Sequence, residues 1–291
     1  MKLIATIVAL TALVGGTGVP PARVSAAPGQ PPGALPISAQ LYTVRNAGTL
    51  DEQLAVVAAA GIKYVEPFRF AGMKEPPADE FKALLDKHGL KVSGMHVNIG
   101  ALIEETDRIA EYNKTIGNTR LIVPALPASI TPKDKAGWQA MGRLFASLAR
   151  TFKEKGMQVG FHNHAVELEV YDGKTGLEWF AEAAGPDVIF TVDVAWAARG
   201  GQDPAALLDK MKGHVWNIHA KDNAPAGTAA DERGFAILGK GTVDWDKVLP
   251  AAKAAGAIFY TLEHDMPRDA AQVLKEGNAY LTPRLKELLT Q

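Results

Sequence analysis

The sequence predicts an α/β fold, a single-domain (β/α)8 TIM barrel, on three observations. Runs rich in β-branched and apolar residues alternate about eight times with segments whose apolar residues recur at helical spacing, the pattern of a parallel sheet with helices packed outside it. Several helical segments stop at a glycine just before the next run: Gly61, Gly89, Gly156 and Gly256 each supply a residue that tolerates the left-handed conformation after a helix. Four runs end in acid/base or metal-binding residue types: FHNH at 161–164, FTVD at 190–193, NIHAKD at 217–222 and TLEHD at 261–265. A closed barrel of parallel strands gathers such tips at one face, and units of roughly 25–40 residues close a barrel more naturally than they build an open doubly wound sheet. No GxGxxG follows a strand to mark a dinucleotide crevice.

Taken in order, residues 1–26 are expected to be a secretory signal: Lys2, the apolar run Leu3 to Val14, and a small-residue stretch ending Val24-Ser25-Ala26, with cleavage after Ala26. The apolar run is shorter than the ~20 residues that span a bilayer, so no stable membrane insertion is expected after cleavage. Residues 27–36 hold four prolines and two glycines and read as an extended leader. The barrel is expected over 37–291, with strands at Ile37 to Val44, Tyr64 to Phe68, Lys91 to Val97, Arg120 to Val123, Gln158 to Phe161, Val188 to Val192, Val215 to His219 and Ile258 to Glu263. Helical spacing marks Leu50 to Ala60, Asp79 to His88, Trp138 to Lys155 and Asp244 to Ala255. About 265 mature residues suit one barrel of this type. Losing Lys2 and Arg23 takes the formal charge from −1 to −3, which leaves no basic field for nucleic acid. The absence of cysteine excludes disulfide and thiolate chemistry and suits a secreted or periplasmic protein.

The strand tips carry the chemistry. Asp193 ends a run apolar enough to be buried on both faces, where a carboxylate needs a cation or good donors; it serves either as a metal ligand or as a cap on the next helix. His219 closes Val215 to Ile218 and precedes Lys221 and Asp222. Glu263 ends the last strand, where a cation would offset the rise in pKa that burial brings. His162 and His164 face one way along the fifth strand and Asn163 the other, so one imidazole can bind metal while the other meets substrate. Glu167 is the alternative to His162 as a ligand. A mixed imidazole and carboxylate set suits one divalent ion, with Mn, Zn, Co, Fe and Mg not distinguished.

Eight segments in order, SAQLYTVR (38–45), YVEPF (64–68), GMHVNI (94–99), GFHNHAVELE (160–169), FTVDVAWA (190–197), NIHAKD (217–222), LGKGTVDW (238–245) and LEHD (262–265), resemble the sugar phosphate isomerase/epimerase family of the xylose-isomerase-like TIM barrel superfamily. The resemblance covers essentially all of the mature chain. It implies one divalent metal held by Asp193, His219, Glu263 and a strand-five residue that is usually Glu and here is His162. Two glutamates shuttle a proton across a carbon in the family's epimerases, so this departure favours a one-base reaction. Glu263, His162, Lys221 and His164 are then the catalytic candidates, and Glu66, His96, Asn163 and Trp196 the substrate-binding ones.

A metal that chelates a keto oxygen acidifies the adjacent C–H and stabilises an enediolate, from which epimerisation, isomerisation and elimination all follow. Export and His162 together tilt the expectation toward a lyase that eliminates the C1 substituent of a 3-keto-glycoside. Glu263 or His162 is expected as the base, with Lys221 or His164 assisting the oxyanion or leaving group. The alternatives are a sugar isomerase or 3-epimerase and a non-catalytic carbohydrate-binding barrel; repair of DNA by analogy with endonuclease IV would need more metal ligands and a basic surface. The partner is expected to be a small sugar or glycoside, chosen by loops such as Phe70 to Pro77 and Asn223 to Gly234, and a homo-oligomer is left open.

Overall fold

Eight parallel strands form the wall of a barrel in the computed structural model, which describes residues 34–69 and 75–290. The segment expected to be a signal, most of the expected leader, and residues 70–74 of a loop expected to choose the substrate lie outside the described residues. The strands are β1 (Ile37–Gln40), β2 (Tyr64–Glu66 and Phe68–Arg69), β3 (Lys91–Val92 and Met95–Val97), β4 (Arg120–Val123), β5 (Gln158–His162), β6 (Val188–Asp193), β7 (Val215–Ala220) and β8 (Phe259–Leu262). Each pairs parallel with both neighbours, and β1 pairs with β8 through Ile37 opposite Tyr260, so the ring closes. At the β2–β3 seam both strands are interrupted, at Pro67 and at Ser93–Gly94. The bonds Ser93 N–H to Val65 O (2.9 Å) and His96 N–H to Pro67 O (2.8 Å) carry the ladder across the gap.

Among the described residues ten α-helices lie between or after the strands, from α1 (Leu50–Ala59) to α10 (Ala270–Thr290). All four punctuating glycines have positive φ, from 62° to 110°, where other residues would be strained. The helix expected over Trp138 to Lys155 begins earlier, as α5 (Lys135–Lys153), because Asp134 accepts from Gly137 N–H and caps it. Between the barrel and helices α5 and α6 (Gly176–Ala184), Phe145, Phe161, Phe180 and Phe190 pack with ring centroids 4.9–5.7 Å apart. Alternation along the strands therefore puts aromatic rings outside and a different set of residues inside.

The register slips between β6 and β7, where Phe190 pairs with Val215 but Thr191 with Asn217. This bulge lets Trp216 turn inward below Asn217 and join Tyr64, Ile122, Ile189 and Phe259 in the apolar floor. Gly94 makes room for it: a Cβ there would lie 2.8 Å from Trp216 Cη2. Trp216 therefore supports the floor of the barrel.

One floor residue breaks the apolar pattern. Arg120 is 8 % exposed, makes one long hydrogen bond to Ser93 O (3.5 Å) and lies 5.1 Å from the Trp216 ring, with no carboxylate among the described residues at ion-pair distance. Burial pulls its guanidinium down to about 10, so it stays cationic at neutral pH. An unpaired buried charge costs stability. Arg120→Met is expected to stabilise the fold by about 1–2 kcal/mol, a rise of roughly 3–6 °C in thermal midpoint for a domain of this size. A midpoint that falls in calorimetry would show that the guanidinium is compensated.

Candidate metal centre

At the carboxyl ends of the strands, His162, Asp193, His219 and Glu263 are all buried, and one ligand atom from each lies within 4.8 Å of the others. β5, β6, β7 and β8 present them in turn, each as the last inward-facing residue of its strand or the residue just past it. Asp193 serves both of the purposes considered from sequence. Its Oδ1 accepts from Trp196 N–H (2.8 Å) and caps helix α7 (Val194–Arg199), while Oδ2 points into the cluster. The carboxylate is thus held rigidly with one oxygen to spare.

Both imidazoles are oriented from behind. His162 Nδ1 lies 3.1 Å from Pro124 O, so Nδ1 carries the proton and Nε2 faces the cluster with its lone pair. His219 Nε2 lies 2.7 Å from Glu66 Oε1, and its Nδ1 lies 2.8 Å from Glu263 Oε2. Burial alone would depress this imidazole, but Glu263 and Glu66 outweigh it and raise it to about 10. The same pairing holds Glu263 well below the usual carboxylate range against the opposing effect of burial, with Lys221 contributing most and His219 next.

Two buried atoms of the cluster, His162 Nε2 and Asp193 Oδ2, make no hydrogen bond among the described residues. They lie 3.4 Å apart, close to the ~3.3 Å expected between tetrahedral ligands of a zinc-sized ion. Lys221 Nζ comes within 3.1 Å of Asp193 Oδ2, an ion-pair distance without hydrogen-bond direction, and its better contacts are Glu263 Oε2 (2.7 Å) and Asp265 Oδ1 (2.5 Å). Unsatisfied buried donors and acceptors are rare in folded proteins. The donor set, its burial and these two orphaned atoms fit a divalent ion.

The other sequence-predicted residues divide. His164 lies beside His162 (ring centroids 4.9 Å) and Trp196 (5.2 Å) and is half-buried; burial pushes it down to about 3, so it is neutral at physiological pH. Trp196 Nε1 is buried and has no hydrogen-bond partner among the described residues. Lys221 is 1 % exposed; burial would lower its pKa, but Asp193, Glu263 and Asp265 raise it, so it remains an ammonium ion. Asn163 is fully buried, with Oδ1 accepting from Asp193 N–H (3.0 Å), which ties β5 to β6. Glu167, the alternative ligand, accepts from His164 N–H (2.7 Å), and burial raises its carboxyl. Glu66 and His96 lie below the cluster, joined at 2.9 Å.

Sequence reasoning missed Gln40, Asn217, the Pro124 carbonyl and Arg233. Gln40 at the end of β1 and Asn217 two residues before His219 are polar residues on inward-facing positions, a signal that periodicity offered. Arg233, 3.4 Å from Asp265 Oδ2, belongs to the loop after β7 and carried none. That loop is pinned by Arg199, which donates to Asn223 Oδ1 (2.7 Å) and lies 3.6 Å over Phe235.

A family model described as xylose isomerase-like TIM barrel matches residues 54–284. No curated protein matches the chain in sequence. Among solved structures, a sugar phosphate isomerase/epimerase from Parabacteroides distasonis superposes with a TM-score of 0.70 at 18 % identity, covering 90 % of this chain and 98 % of that one. A xylose isomerase-like TIM barrel protein from Mycobacterium smegmatis in complex with magnesium gives 0.66 at 17 %, over 88 % and 98 %. A probable 3-DHS dehydratase from Bacillus anthracis gives 0.65 at 16 %, over 85 % and 99 %. At these identities the likeness is one of fold.

Proposed function

Because the chain belongs to the xylose isomerase-like TIM barrel family, we propose that it is a divalent-metal-dependent enzyme of keto-sugar chemistry, and that its reaction is elimination of the C1 substituent from a 3-keto-glycoside. The expected signal segment supports action outside the cytoplasm, in the periplasm or secreted, where glycosides rather than sugar phosphates are met. A dehydratase among the structural neighbours is consistent with elimination on this fold. The observation that carries the reading is His162: an imidazole with its Nδ1 proton given to Pro124 O stands where the family's epimerases place a second glutamate.

A divalent ion held by His162, Asp193, His219 and Glu263 would supply Lewis acidity that makes the C–H beside the ketone more acidic. Glu263, at the mouth and 8 % exposed, takes the proton from C2. The electron pair left on C2 forms the C1–C2 double bond as the C1–O bond breaks, and the leaving oxygen takes a proton from Lys221, giving a 2-hydroxy-3-keto-glycal and the free aglycone. Lys221 is the donor in this reading because it is an ammonium ion whose Nζ lies 2.7 Å from Glu263 Oε2, beside the base. Neutral His164 binds a sugar hydroxyl, with the Trp196 ring packed against it at 5.2 Å.

The test is metal analysis of the purified protein with an assay of a chromogenic aryl 3-keto-glucoside. About one equivalent of metal and aglycone release are expected. Solvent deuterium incorporated into a free ketose without aglycone release would assign the chain to epimerisation instead, and tight sugar binding without metal or turnover would leave a binding barrel. Glu263→Gln is expected to lower aglycone release by about 10³-fold or more, since it removes the base and weakens a ligand together; release within tenfold of the parent would move the base to another residue.

A further inference from the structure

We infer that Glu66 is a positioning residue of the metal centre, which holds His219 with Nε2–H donated and Nδ1 presented to the ion, and that it does not contact substrate. The inference rests on the metal-dependent reading above and gives Glu66 this part in place of the substrate contact expected of it. Glu66 is fully buried, and four side chains reach its two oxygens. Oε1 meets His219 Nε2 at 2.7 Å, His96 Nε2 at 2.9 Å and Gln40 Nε2 at 3.0 Å; Oε2 meets Asn217 Nδ2 at 3.1 Å.

Both amides are fixed in the donating orientation by a second bond. Gln40 Oε1 accepts from Tyr42 N–H (3.1 Å), and Asn217 Oδ1 accepts from Thr261 Oγ1–H (3.0 Å), so each amide has only its NH₂ group to offer Glu66. Three donors crowd Oε1 and one meets Oε2, and with the side chain 0 % exposed no sugar hydroxyl reaches the oxygen that keeps room for another bond. The same fact bears on a second ion. Glu66, His96 and His219 also place ligand atoms within 4.8 Å of one another, but the amide hydrogens of Gln40 and Asn217 point at the oxygens an ion would need. A carboxylate behind a metal-binding imidazole fixes its tautomer and raises its basicity, and losing such a partner weakens metal binding by about 10–100-fold.

The test is a Co²⁺ titration of the purified chain and of Glu66→Gln, followed by ligand-field absorption, with metal-free thermal melts of both. Glu66→Gln keeps the shape but turns one acceptor into an NH₂ group among donors. The expected result is a folded variant with a dissociation constant raised about 10–100-fold and a shifted absorption band. An unchanged constant and band overturn the proposal, as does a wild type that binds two ions of which the variant loses one. If the variant fails to fold, long-range ¹⁵N spectra of the Zn²⁺-loaded wild type decide: His219 protonated on Nε2 and metallated on Nδ1 supports the inference, and the reverse overturns it. None of these readouts needs a sugar, so failure to turn over a keto-glycoside leaves this result standing, whereas a wild type that takes up no divalent ion overturns both readings.

Discussion

His219→Ala is expected to empty the metal centre and reduce turnover by about 10³-fold or more, because Lewis-acid stabilisation of developing charge is worth several kcal/mol. The loss should match that of Glu263→Gln in turnover and add a loss of stability. His219 is in contact with both buried carboxylates that flank it, Glu263 at 2.8 Å and Glu66 at 2.7 Å. Alanine removes a ligand and leaves two buried carboxylates without their shared partner, so stability falls along with metal content. Elemental analysis beside calorimetry separates the two losses. A variant that keeps a full equivalent of metal and more than a tenth of the parent turnover would falsify the assignment of His219 as a ligand.

The largest purely structural loss is expected at Asp222, next to Lys221 in the chain. Its fully buried carboxylate accepts five N–H bonds: Asn223 N (2.9 Å) and Val243 N (3.1 Å) on Oδ1, and Gly239 N (2.9 Å), Gly241 N (3.3 Å) and Trp245 Nε1 (2.9 Å) on Oδ2. One side chain thereby folds the segment from Gly239 to Trp245 onto the end of β7. Gly241 must be glycine there, since a Cβ would run into the Asp222 carboxylate and Asn223 O. Asp222→Ala strands these donors inside the protein and is expected to cost about 4–5 kcal/mol, a fall of roughly 10–15 °C in thermal midpoint. Asn in its place should do little better, because its NH₂ group would face N–H donors. A shift of under 3 °C would mean that water or another acceptor replaces the carboxylate.

Much of the site was legible before any coordinates. Two-residue alternation placed His162 and His164 on one side of β5 and Asn163 on the other, and the rings of the two histidines do lie together while Asn163 bonds to β6. The polar tips of β5 to β8 could be read as converging because parallel strands in a barrel end at one rim. The partners behind them could not. Pro124 is 38 residues from His162, and Glu66 is 153 from His219. Pairings at such separations depend on how the ring closes and on the bulge that turns Trp216 inward. Lys221 was expected from the chain to assist the oxyanion or leaving group; only the fold shows that Asp193, Glu263 and Asp265 surround it and hold its ammonium beside Glu263.

Local chemistry and periodicity thus determined on their own the fold class, the order of the strands and the residue types at the barrel rim, because burial selects side chains at spacings of two and 3.6 that short stretches of chain already display. Tertiary structure alone decided which nitrogen of each histidine faces the cluster, that Asp193 divides its oxygens between helix cap and cluster, and that Glu66 lies beneath the centre with its oxygens engaged. Those features are contacts between residues far apart in sequence, set by hydrogen bonds whose partners meet only once the barrel has closed.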